Sequence, residues 1–323
     1  MGPRRLLCAA AAALALACSP PPDRGADQAG ADGPIRIVTP YGAGGGIDLA
    51  ARILSAVAEP HLGTRVDVVN MPGAGGLNAA TFVKNAAPDG ATLLISDYGP
   101  LITLPLREET PYGTADWVPL VQVAEIAPTF VVRGGSGLQT VSALVDAARA
   151  SPGGIAMTHG AFMSSSHLPL LRLEQLAGVR TNHVPTAGGA ETVQFLLSGV
   201  VQAAVTTPGS IAGSVQSGRA AAIAVATAER VAELPDTPTL RESGYDIVMP
   251  VWHTIFASAA VPAARRLILA ERIAAAYASQ EAQELAGRAR IAIEPITGET
   301  VRDIYVRTVD AVRVILDDLH KQQ

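Results

Sequence analysis

Cysteine is almost absent. The chain of 323 residues has two, Cys8 and Cys18, and two such residues near one end support neither a disulfide framework nor a cysteine-based metal site. Aromatic residues are scarce at 4%, so the core must be built from Ala, Val, Leu and Ile. Charge is also sparse: 16% of residues are charged and the formal net charge is −5. A chain so poor in Lys and Arg lacks the basic surface that phosphate backbones demand, and no nucleic-acid partner is expected. There is no G-x-S-x-G elbow, no H-E-x-x-H pair and no G-K-[ST] after a glycine-rich loop, so the usual hydrolase, zinc-protease and P-loop signatures are missing. No cofactor and no metal are expected, and no catalytic residue is assigned.

The N-terminus carries the clearest sorting signal. Arg4 and Arg5 precede an apolar run from Leu6 to Ala17, long enough for an export signal and too short to span a bilayer. Two processing readings stay open. Ala15-Leu16-Ala17 fits an A-x-A cleavage site. The same residues followed by Cys18 resemble a bacterial lipoprotein signal, in which the cysteine carries lipid, although such signals usually have Leu, Val or Ile where Ala15 stands. Both place the protein in the periplasm, either tethered to a membrane through Cys18 or free of it. Residues 18–33, rich in Pro, Gly, Ala and Asp, read as an anchor and flexible tether behind a signal peptide at residues 1–17.

After the tether the pattern alternates. Ile35–Val38, Arg65–Val69 and Thr92–Ile95 are short strand-like runs. Between them lie helical stretches, the first opened by Asp48 as a plausible N-cap. This β-α-β-α-β order implies a parallel sheet covered on both faces. It repeats: Thr129–Val132, Ile155–Thr158, Thr181–Val184, Ala203–Val205, Ile223–Val225 and Trp252–Ala257 read as strands. After Pro262 the chain turns helical, broken by a short strand at Ile291–Ile293. So many strands call for two lobes of α/β structure, assigned as residues 34–126 plus 251–323 and residues 127–250. The hinge crossings fall near Glu125–Thr129 and Met249–Trp252.

Two loops suit an anion. Pro40-Tyr41-Gly42-Ala43-Gly44-Gly45-Gly46-Ile47-Asp48 follows the first strand, and Asn70-Met71-Pro72-Gly73-Ala74-Gly75-Gly76 follows the second. Glycine lets successive N–H groups turn toward one point, and the helix that follows adds free donors and a partial positive charge. Parallel α/β sheets place ligands at these strand ends. Neither loop completes a dinucleotide fingerprint, because Ile47 and Asn78 occupy the last glycine positions. The six histidines, His61, His159, His167, His183, His253 and His320, are scattered and read as packing or surface residues, with His159 and His167 at opposite ends of a loop. Ser164-Ser165-Ser166-His167 could pair a nucleophile with a base, but Ser166 reads better as the cap of the next helix.

Taken together, these segments resemble the periplasmic substrate-binding proteins of tripartite tricarboxylate transporters, the Bug or TctC family. The resemblance rests on Pro40-Tyr41 with Gly44-Gly45-Gly46 and Asp48, on Asn70-x-Pro72-Gly73-Ala74-Gly75-Gly76, and on Ala87-Pro88-Asp89-Gly90-x-Thr92-Leu93-Leu94. It continues in Ser166-His167-Leu168, His183-Val184-Pro185, Leu234-Pro235-Asp236-x-Pro238-Thr239 and Gly244-Tyr245. It implies a two-lobed type II-like solute-binding protein that closes on a small organic carboxylate, catalyses no reaction, acts as a monomer and delivers its solute to membrane transporter subunits. The same clamp could instead feed a two-component signalling system, and an exported hydrolase is the remaining alternative. Carried over, the ligand contacts are Tyr41, Gly44, Gly45, Gly73, Ala74 and Gly75, with Asp48 and Ser96, from the first lobe. Ser164, Ser165, Thr186, Ala187 and Thr206 come from the second. The chain departs from the family pattern at Met71, Thr186, Ala187 and Gln202, where Arg, Tyr, a Lys or Arg, and Asp are common. These departures imply a solute with one carboxylate and a less charged far end, such as an aromatic acid or a monocarboxylate.

Overall fold

Why the chain alternates is visible in its first unit. Ile35, Ile37 and Val38 are fully buried because β1 has a neighbour on each edge and helices on both faces. The next helix turns one apolar face inward, with Ile47, Ala50, Ala51, Ile53, Leu54 and Val57 buried. The structure, a computed structural model, describes residues 33–160, 163–186, 189–289 and 291–321. The expected signal peptide, Cys18 and Ala187 lie outside the described residues.

The strands in chain order are β1 (Ile35–Thr39), β2 (Val66–Asn70), β3 (Thr92–Ser96), β4 (Trp117–Ile126), β5 (Thr129–Arg133), β6 (Ala156–His159), β7 (Asn182–Pro185), β8 (Ala203–Thr206), β9 (Ala220–Val225), β10 (Val251–Ser258) and β11 (Ile296–Thr297). The helices are α1 (Gly46–Val57), α2 (Glu59–Leu62), α3 (Leu77–Lys84), α4 (Leu104–Arg107), α5 (Val141–Ala150), α6 (Leu168–Ala177), α7 (Gly189–Ser198), α8 (Pro208–Gln216), α9 (Ala263–Ala278), α10 (Gln280–Ala289) and α11 (Gly298–Lys321). They form a mixed α/β fold with two sheets, ordered β11-β4-β10-β3-β1-β2 and β7-β6-β8-β5-β9.

Each sheet repeats one device. β1 pairs parallel with both β2 and β3, so the chain crosses from one side of β1 to the other between them. β6 stands in the same relation to β7 and β8. Such a reversal leaves a crevice outside the carboxyl ends of the strands. In the first sheet it lies above β1 and β3, and in the second above β6 and β8. The chain leaves the first sheet at Ile126, enters the second at Thr129, and returns with β10.

Two elements depart from the sequence pattern. β4 was not expected, and it contains Pro119. The ladder tolerates that proline because the β10–β4 register shifts between Ile255 and Phe256, at Pro119 itself. The strand expected at Ile291–Ile293 is absent. There Ile293 gives its carbonyl to the Gln283 side chain, and β11 forms later at Ile296–Thr297.

One apolar cluster joins the two sheets. It draws Val38, Leu94 and Trp252 from the first sheet, Tyr98 from the stretch after β3, and Phe130, Val205 and Ile223 from the second sheet. Trp252 packs edge-on against Tyr98 at 5.5 Å, and its indole N–H donates to Thr308 Oγ1 at 3.2 Å. α11 extends this join: Gln175 on α6 donates to the Ile315 carbonyl at 3.1 Å. Trp252→Ala should cost about 3–5 kcal/mol, because it empties a large buried position in the cluster the two sheets share. Equilibrium urea unfolding monitored by circular dichroism measures this, and a loss below about 1 kcal/mol would contradict the shared core.

Candidate functional site

The first glycine loop takes its shape from a buried charge. Gly45 is the N-cap of α1, so Asp48 is the third helical residue and not the cap. Its side chain, 1% exposed, reaches back into the loop. Oδ2 accepts from the Gly44 N–H and from Arg52 Nε, each at 2.8 Å, and Oδ1 accepts from Asn70 Nδ2 at 2.8 Å. Burial opposes ionisation, but the bonds from Arg52, Gly44 and Asn70 outweigh it and hold the carboxyl below the usual carboxylate range. Asn70 also donates to the Tyr41 carbonyl at 3.1 Å, tying the first loop to the end of β2. The Gly44 N–H is thereby used internally. The N–H groups of Gly45, Gly46 and Ile47 have no acceptor among the described residues, as befits a helix start.

The second loop is held in an unusual backbone. Gly73, Ala74, Gly75 and Gly76 all have positive φ, at 126°, 46°, 62° and 95°. Gly76 could be nothing else, since a Cβ there would sit 2.4 Å from Pro100 and 3.1 Å from Pro40. The stretch after β3 is thus pressed against both glycine loops. The residues from Gly42 to Gly45 and from Pro72 to Gly75 are exposed.

That third stretch, Asp97-Tyr98-Gly99, holds what the sequence reading missed. Asp97 is 7% exposed. Its Oδ1 accepts from Tyr41 Oη at 2.9 Å and from the Gly99 N–H at 2.9 Å, and its Oδ2 accepts from Ser165 Oγ at 3.0 Å. Tyr98 Oη donates to the Ser165 carbonyl at 2.9 Å. Asp97 therefore links Tyr41 in the first lobe to Ser165 in the second, across the crevice of the first sheet. Burial pushes its carboxyl up, and the bonds from Tyr41, Gly99 and Ser165 offset this only in part. Burial, then the charge of Asp97, pushes the Tyr41 hydroxyl well above its ordinary value. The sequence signal was available in a Ser-Asp-Tyr-Gly-Pro run directly after the third strand.

The second lobe presents hydroxyls at its own crevice. Thr206 ends β8 with its hydroxyl buried and unbonded, and Ser96 ends β3 in the same condition. Thr186 donates through Oγ1 to the His159 carbonyl at 2.7 Å and pairs with Thr192 at 2.7 Å. Ser164 pairs with Ser166 at 3.0 Å. Ser166 is not the cap of α6. Its hydroxyl accepts from the Gly160 N–H at 3.0 Å, and His167 occupies the cap position. Gln202 lies at the opposite end of β8 from Thr206, accepting from the Ala156 N–H at 2.8 Å, so its identity has no direct bearing on the crevice.

Three histidines expected to lie apart meet behind these hydroxyls. His159 stacks on His167 with centroids 3.8 Å apart. His167 Nδ1 accepts from the Met163 N–H at 2.9 Å, which leaves its Nε2 protonated to donate to His183 Nδ1 at 2.7 Å. His183 Nε2 in turn faces Glu174 Oε1 at 2.9 Å. The chain is closed by hydrogen bonds, and both His167 nitrogens are engaged away from the serines. Burial, then His159 and His183, drives the His167 pKa down to about 2. His183 and Glu174 also line a cavity of about 660 Å³ on the second lobe, beside Arg149 and Arg180 and away from the glycine loops.

Residues 50–286 match the family model described as the tripartite tricarboxylate transporter family receptor. Protein BugT of Bordetella pertussis is 33% identical over 229 residues, covering 69% of this chain and 70% of that protein. A TctC solute binding protein from Polaromonas superposes with a TM-score of 0.77 at 25% identity, over 89% of this chain and 99% of the other. A Rhodopseudomonas palustris protein solved with adipate shares the fold, with a TM-score of 0.76 at 24% identity over 88% and 97%.

His253 on β10 backs the first loop so closely that a Cβ on Gly46 would come within 2.9 Å of its ring. Burial lowers its pKa to about 4. The unfolded chain therefore takes up this proton first, near pH 6.5, so the stability that the neutral ring contributes is complete above that value and drains away toward pH 4. His253→Gln should flatten this part of the profile by about one proton. Urea unfolding between pH 4.5 and 7.5 checks it, and an unchanged slope would mean that the ring titrates normally.

Proposed function

Since the chain belongs to the tripartite tricarboxylate transporter family of receptors, we propose that it is an exported receptor that binds a small organic carboxylate between its lobes and passes it to the membrane subunits of such a transporter. The observation that carries this is the row of unused N–H groups at Gly45, Gly46 and Ile47, aligned with the start of α1 beside a second glycine loop. N–H groups and a helix dipole hold an anion without a lysine or arginine. That a protein of this fold was solved with adipate agrees with a carboxylate in the crevice.

In this reading residues 34–126 and 251–323 form the first lobe and residues 127–250 the second, with the hinge at Glu125–Thr129 and Met249–Trp252. Tyr41, Gly44, Gly45, Gly73, Ala74, Gly75 and Ser96 face the carboxylate from one side, while Asp48 keeps the first loop in shape. Ser164, Ser165, Thr186, Ala187 and Thr206 meet the rest of the solute. Ligand favours the closed form by binding it better than the open one. The protein works as a monomer in the periplasm, tethered through Cys18, and performs no chemical step. Among the described residues no helix is long and apolar enough to cross a membrane, so translocation falls to other subunits.

A panel of small carboxylates tested by thermal shift should include at least one that raises the midpoint by roughly 5–10 °C at a hundredfold excess over Kd. Gly45→Leu should abolish that rise with little change in the ligand-free midpoint. Gly45 has an ordinary extended backbone, at φ −78° and ψ 166°, and open space where a side chain would go. A shift that survives Gly45→Leu would move the carboxylate site elsewhere.

A further inference from the structure

Asp97 is a charged group with nothing of opposite charge to meet it. It is 7% exposed, yet no Lys, Arg or His among the described residues lies within ion-pair distance. Its three partners are all neutral donors: the Tyr41 hydroxyl, the Gly99 N–H and the Ser165 hydroxyl. A carboxylate offers about four acceptor positions. Oδ1 takes two bonds and Oδ2 takes one, so a position remains on Oδ2, the oxygen turned to the second lobe. Buried charges are ordinarily paired or bound to metal. Asp48, in the first turn of α1, obeys that rule through Arg52, and Asp97 does not.

Its location gives the anomaly meaning. Asp97 follows β3 directly, at the crevice where the order of the first sheet reverses. It bonds one residue of each lobe that the solute reading assigns as a contact. The glycine loops already supply donors for one carboxylate of the solute. A second carboxylate would meet Asp97 as a like charge, and a hydrocarbon end would leave the buried charge unpaired. A cation at the far end would satisfy it.

We propose that Asp97 is a specificity-determining residue whose buried carboxylate pairs with an ammonium group on the solute, so that the preferred ligand class is an amino-carboxylate and not a plain mono- or dicarboxylate. This rests on the carboxylate-receptor reading and narrows the solute it takes. Seated between the lobes, the ammonium would add a tie to Asp97 while the carboxylate holds the loops, so both ends of the solute would favour closure.

The test is a matched panel on the mature chain by thermal shift and calorimetry. It holds straight-chain ω-amino acids of two to six carbons, the common α-amino acids, and the unsubstituted monocarboxylates and α,ω-dicarboxylates of the same lengths. The expected result is that an amino-carboxylate binds at least tenfold more tightly than both of its matched counterparts, and that Asp97→Asn erases this preference. Asparagine suits the site: its oxygen can replace Oδ1 against Tyr41 and Gly99, and its NH₂ can face the Ser165 hydroxyl. A wild-type preference for plain mono- or dicarboxylates would overturn the proposal and leave the receptor reading intact, as would an amino-carboxylate preference that survives Asp97→Asn. If the wild type binds no carboxylate of any class, the receptor reading falls and the proposal with it. If Asp97→Asn folds poorly, Asp97→Ser takes its place, and a wild-type preference for plain acids overturns the proposal without any variant.

Discussion

A charge can stay inside a protein only if donors come to meet it, and Asp48 imposes that constraint on everything around it. Its carboxylate draws in the Gly44 N–H, the Arg52 side chain and the Asn70 amide. Those three bonds fix the first glycine loop, start α1 at Gly46 and fasten the loop to the end of β2. The N–H groups of Gly45, Gly46 and Ile47 are left over at the start of α1. Without the bonds to Asp48 the loop would be free to turn its N–H groups to water, and the anion-suited geometry would be lost.

Asp97, just after β3, shows the opposite balance. Both carboxyls are nearly sealed from solvent, yet one is held below the ordinary carboxylate range and the other above it. Arg52 makes the difference, since a guanidinium repays desolvation more fully than hydroxyls and a single N–H do. One carboxylate therefore completes the scaffold, while the other is left with capacity to spare at the meeting point of the lobes. Tyr41 and Ser165 hold it from both sides, and Tyr98 braces the same serine.

Behind the crevice the two sheets share one apolar cluster, and the Arg172–Asp318 ion pair joins α6 to α11 beside it. Trp252 lies where β10 re-enters the first sheet and touches Tyr98, Phe256 and Tyr305. In a chain with so few aromatic residues, four of them meet here. The histidine chain of the second lobe plays a comparable local part. It locks the turn before α6 to β7 through His167 and His183, and burial resists protonation of His167.

The residues alone settled the alternation of strands and helices, the two glycine loops, the two-lobed α/β class and the family. The alternation, the loops and the two-lobed class follow from local periodicity and from glycine spacing, whereas the family came from a resemblance carried by many short motifs in order. β4 escaped the sequence reading, and its Pro119 is accommodated by a bulge that only the pairing with β10 reveals, while the short apolar run Ile291–Ile293 says nothing of available partners. His159, His167 and His183 seemed scattered because separation along the chain does not report proximity across β6 and β7. Gln202 seemed close to the solute because a motif position does not say which end of a strand faces the crevice. Asp97 passed unnoticed for the same reason: a carboxylate becomes unusual only when the fold removes its water and supplies no cation, and that depends on contacts between residues as far apart as Tyr41, Asp97 and Ser165.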